Sequence, residues 1–84
     1  MKYDVFFRRV LDGRAREHVD MREYVSAGRV EADSLREAER AARSREDNDR
    51  AIQVGDLLRD EQGGTWIYTV YGAWSKVKVI RRET

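Results

Sequence analysis

The stretch Thr65-Trp66-Ile67-Tyr68-Thr69-Val70-Tyr71-Gly72-Ala73-Trp74-Ser75-Lys76-Val77-Lys78-Val79 decides the fold of this chain. Its first seven residues are all aromatic or β-branched, the types that suit a pleated, half-buried surface. Gly72-Ala73 then predicts a tight turn, and a second strand runs from Trp74 to Arg82. In that strand Val77 and Val79 face inward and Lys76 and Lys78 outward, because successive side chains point to opposite sides. Upstream, Val54 to Asp60 leads into a turn at Gln62-Gly63-Gly64. Three strands joined by short turns predict an antiparallel meander.

Working outward, Ser34-Leu35-Arg36-Glu37 fits a capping box, in which the Ser hydroxyl takes the Glu37 amide and the Glu carboxylate reaches back. Leu35, Ala38, Ala41 and Ala42 follow on one face at helical spacing, with Arg36, Arg40 and Arg43 opposite. Glu39 stands four residues before Arg43, a pairing that supports a helix. A helix over 34–46 is predicted, its alanine face able to lie close to a sheet.

At the N-terminus, Lys2 to Leu11 reads as a strand with Tyr3, Val5 and Phe7 on one side, ended by a turn at Asp12-Gly13. Residues 14–28 fit two periods. Val19, Met21, Val25 and Ala27 align with period two, whereas Leu11, Ala15, Val19, Met21 and Val25 make a helical stripe. The reading adopted is a loop entering a strand from about Glu23 to Ala32, with a bulge at Ala27-Gly28. The whole, 1–84, is expected to be one α+β domain: a single antiparallel sheet in the order β-β-α-β-β-β with one helix packed on one face.

Composition narrows the function classes. The 84 residues contain no cysteine, which excludes disulfides and thiolate chemistry and favours a reducing, cytoplasmic setting. No apolar run approaches the roughly 20 residues that a membrane-spanning helix needs. Charged residues make up 39% of the chain, yet the net charge is +1, so no global field draws it to nucleic acid or to a membrane. Arginine outnumbers lysine 14 to 3, which with the Ala, Val and Gly usage points to a GC-rich genome, such as that of an actinobacterium or its phage.

Three stretches carry a resemblance. Tyr3-Asp4-Val5-Phe6-Phe7 is similar to the opening strand of the YodL-like small domains found on phages, plasmids and other mobile elements. Tyr24-Val25 through Val30-Glu31-Ala32-Asp33-Ser34-Leu35-Arg36-Glu37-Ala38 resembles that family's strand running into a helix. Ile52-Gln53-Val54-Gly55-Asp56-Leu57-Leu58, with Gly63-Gly64-Thr65-Trp66-Ile67-Tyr68 and Gly72-Ala73-Trp74, resembles its signature segment. Ala51 and Gln53 stand where the family's signature serines would be. The resemblance implies a mobile-element origin in a host cell, no enzymatic activity and no cofactor.

Residues that could carry chemistry lack companions. His18 is the sole histidine and reads as a solvated side chain. Asp47-Asn48-Asp49 opens like a calcium loop, but Ile52 and Leu58 occupy the positions that need Gly and Glu. Gly63-Gly64 lacks the lysine of a phosphate loop and reads as a turn. Asp56, in Val-Gly-Asp, reads as an acceptor of backbone hydrogen bonds, with Asp60 and Glu61 as chance neighbours. The arginine helix face, flanked by Glu37 and Glu39, reads as solvated.

The candidate binding surface is therefore Trp74, Lys76, Lys78, Ile80 and Arg82, which share one face of the last strand. Such a mixture suits a protein interface or a single-stranded nucleic-acid platform, or it covers a core edge while the lysines guard against aggregation. The expectation is a non-enzymatic accessory protein that binds an unidentified protein, with nucleic acid as the alternative and no metal or cofactor. An exposed strand edge also offers a route to a homodimer.

Overall fold

The computed structural model describes residues 1–45 and 50–80. In chain order it contains β1 (Lys2–Arg8), β2 (His18–Val19), a 3-10 turn (Met21–Glu23), β3 (Tyr24–Glu31), α1 (Leu35–Arg43), β4 (Leu57–Arg59), β5 (Thr65–Tyr68) and β6 (Trp74–Val79). The strands form one open sheet in the order β2-β6-β5-β4-β1-β3. The meander β4-β5-β6 is antiparallel as predicted, and β1 joins it between β4 and β3.

Two features correct the predicted topology. The sheet is mixed, because β2 runs parallel to β6, and β2 is an additional strand drawn from the ambiguous 14–28 segment. Both follow from the sheet having two apolar faces. On one, α1 covers Tyr3, Val5, Val30 and Leu58 with Ala38 and Ala42. On the other, Leu57, Ile67 and Val77 need a second cover, and Val19 and Tyr24 supply it. The segment after β1 doubles back across this face, and its backbone then meets the outer edge of β6. The Lys78 amide donates to Glu17 O at 2.9 Å and the Ile80 amide to Val19 O at 2.8 Å.

That strap is tied down by polar contacts. Arg8 is buried at the end of β1 and bonds Asp12 at 2.6 Å. Asp12 also bonds Arg16 at 3.0 Å and accepts from the Arg14 amide. Burial opposes the charge on Arg8, but Asp12, Tyr24 and Glu23 outweigh it and hold its pKa above the usual arginine value. Strand β1 consequently stops at Arg8 rather than Leu11, and Val10 and Leu11 are exposed.

The helix forms as its sequence dictates. Ser34 Oγ accepts from the Glu37 amide at 3.2 Å, and the Glu37 carboxylate accepts from the Asp33 amide at 3.0 Å. Arg43 pairs with Glu39 at 2.9 Å. The helix ends at Arg43 with Ser44 as its cap, shorter than predicted; Glu46 and the Asp47-Asn48-Asp49 run lie outside the described residues. The predicted bulge is present. Between Asp4 and Phe6 of β1 the register of β3 slips by one residue, at Gly28 with φ +99°. The Arg45 guanidinium fills the space there and donates to Ala27 O.

Candidate interaction surface

The β5–β6 hairpin buries Thr65, Ile67 and Val77 on one face and presents aromatic and cationic side chains on the other and at its tip. Strand β5 stops at Tyr68, before the predicted end of the run. Val70 and Tyr71 sit instead in a turn, with the Gly72 amide on Thr69 O at 3.0 Å and the Thr69 amide on Ala73 O at 2.9 Å. The other turn, Asp60–Gly64, has the same construction, with Gly63 and Gly72 both at positive φ. A strand would have hidden one of Val70 and Tyr71. The turn leaves them 65% and 91% exposed.

Below this tip the helix-side face of the hairpin is aromatic and cationic. Cross-strand pairing places Trp66 beside Lys76 and Tyr68 beside Trp74. The Tyr68 and Trp74 rings lie 5.1 Å apart at 59°. The Lys76 ammonium lies 5.8 Å from the Trp66 ring centre, within cation–π reach. Trp66, Tyr68 and Trp74 are partly buried, while Lys76 and Lys78 are exposed.

The predicted surface is thus partly assembled. Lys76, Lys78 and the 42%-exposed Ile80 stand open, whereas Trp74 turns toward the helix and donates its indole N–H to Glu39 at 3.0 Å. Arg82 lies outside the described residues. Sequence reading missed Trp66 and Tyr71. Pairing Trp66 with Lys76 requires knowing the register, and exposing Tyr71 requires the turn predicted at Gly72-Ala73 to begin earlier, at Thr69.

The remaining polar groups serve the architecture. Asp56 is fully buried. Its carboxylate accepts from the Arg8 amide at 2.9 Å, from the Gln53 amide at 2.8 Å, and from both Arg50 guanidinium nitrogens at 2.7 and 2.9 Å. Such saturation leaves no lone pair facing a substrate. Arg50 in turn lies 4.0 Å over the Phe7 ring. His18 is exposed on β2 opposite Lys78, away from Asp56. No group of metal-ligating side chains occurs among the described residues, and none of their helices is long and apolar enough to cross a membrane. An open groove of about 630 Å³ is lined by Met21, Arg59, Thr65, Val77 and Lys78, a set that holds no pair of groups poised for catalysis. Comparison with protein-family models, curated proteins and solved structures gives no match.

Proposed function

We propose that the chain is a non-enzymatic, cytoplasmic accessory protein of a phage or other mobile element that binds another protein through its β5–β6 hairpin. The mobile-element origin rests on the sequence resemblance. The binding reading rests on one observation: the hairpin carries a 91%-exposed tyrosine at its tip above a face of partly exposed aromatics and open lysines. Tyrosine and tryptophan supply much of the energy of protein interfaces, having large contact area and few rotatable bonds. The lysines orient an acidic partner and raise its on-rate.

Stacking of Lys76 on Trp66 is also what a single-stranded nucleic-acid platform offers. The acids bordering the face oppose that alternative: Glu39 holds Trp74, and the Asp60 carboxylate and the Trp66 ring both lie close to Gly64. Immobilised protein is used to capture partners from host lysate, alongside Tyr71→Ala and Lys76→Glu variants. A protein retained by the parent and lost by both variants supports the reading. Indole fluorescence titrated with single-stranded DNA should stay unchanged at low salt; quenching that fades as salt rises would transfer the assignment to nucleic acid.

A further inference from the structure

The outer edge of β3 is a further open surface among the described residues, and its chemistry identifies its occupant. Strand β3 ends the sheet, so among the described residues one side of its backbone has no neighbouring strand. The Ala32 amide donates inward to Met1 O at 2.9 Å. Because inward and outward groups alternate in an antiparallel ladder, Val30 also points inward, and Glu31 and Arg29 aim their N–H and C=O groups away from the sheet. Below them the bulge at Gly28 interrupts the straight run, so the usable edge is centred on Val30.

The side chains along this edge end two rows of alternating charge. Arg29, Asp4 and Arg59 stand side by side on β3, β1 and β4, with Arg29 bonded to Asp4 at 2.7 Å. Glu31 stands beside Lys2, whose backbone amide donates to Glu61. One row reads plus, minus, plus, and the other minus, plus, minus. All but Glu31 line a common shallow cleft of about 450 Å³.

We propose that this edge pairs with the same edge of a second copy, antiparallel about Val30. In that register Arg29 of each chain faces Glu31 of the other, and both residues already present their backbone groups in the bonding direction. The two charge rows then continue across the junction without a like-charge neighbour, which is the self-complementarity a two-fold interface requires. Registers shifted by two residues bring Arg29 opposite itself or Glu31 opposite itself. The ladder is short and buries far less than a standard interface, so the dimer is weak and concentration-dependent.

Sedimentation velocity at about 10 µM and about 1 mM should show a monomer shifting toward a dimer. Arg29→Glu and Glu31→Arg should each weaken association at least about tenfold, since opposed charges become like charges. An equimolar mixture of the two variants should recover the parent affinity, because one chain then carries acids at both positions and its partner bases. Circular dichroism of each variant confirms that it is folded, and the parent measurement is independent of both. A parent chain monomeric at the higher concentration, single variants that associate undiminished, or a mixture that stays monomeric would each overturn the pairing.

Discussion

At the scale of single residues, the molecule turns on groups whose environment leaves them one role. Asp56 is the clearest. With two amides and a bidentate guanidinium on a fully buried carboxylate, removing the acid strands four donors, whereas removing the arginine strands one charge that keeps two amide partners. Asp56→Ala is expected to cost about 3 kcal/mol, and Arg50→Ala about half as much, compared through urea midpoints at constant m-value. Tyr24 gives the molecule an alkaline limit. Its hydroxyl donates to Gly55 O at 2.6 Å, and burial pushes its pKa up to about 12, with Arg8 opposing the shift and Asp56 adding to it. The unfolded phenol titrates near 10. Between those values the folded chain holds the proton that the unfolded chain has lost. The contribution is therefore complete below pH 10 and disappears as pH rises toward 12, a loss on the order of 2 kcal/mol. Tyr24→Phe should flatten that part of the stability profile while costing about 1 kcal/mol at pH 8. Asp56 was legible as a backbone acceptor from its Val-Gly-Asp setting. Its partnership with Arg50 and the burial of Arg8 were not, because each depends on which strands lie side by side.

At the scale of elements, local rules and observed elements agree at several signals that close within a few residues. The Ser34 cap, the alanine face and the bulge at Gly28 are of this kind. Gly28→Ala tests the bulge: a side chain at φ +99° is strained, and its Cβ would lie 2.6 Å from Arg45 Nη1. A loss of about 1–3 kcal/mol is expected in thermal or urea unfolding, with Gly63→Ala a comparison in which the strain is kept but nothing lies within 4 Å. The elements that departed from expectation are those where propensity and position conflict. Val70-Tyr71 has the composition of a strand but occupies a turn. The hairpin closes through Thr69 and Ala73 with Gly72 at the left-handed position, and that geometry outranks the β preference of its two central residues.

At the scale of the whole molecule, the sheet is covered differently on its two sides, by a helix on one and by an irregular strap on the other. Val19 is the strap's chief apolar contribution, 4% exposed against Leu57, Ile67 and Val77. Val19→Ala should cost about 2 kcal/mol and raise binding of a hydrophobic dye such as ANS, while truncations on the exposed helix face should do neither. Sequence alone determined the α+β class, the capped helix, the antiparallel meander and the inward-facing valines of β6, because these rest on periodicity and on contacts between near neighbours. Only the tertiary structure decided that the segment after β1 crosses the second face and adds a parallel strand, and that Trp66 stands beside Lys76. It likewise decided that Arg29 and Glu31 close two rows of alternating charge. Those outcomes depend on which residues far apart in the chain become neighbours across the sheet, and hydrophobic patterning says that a side chain must be buried without saying what will cover it.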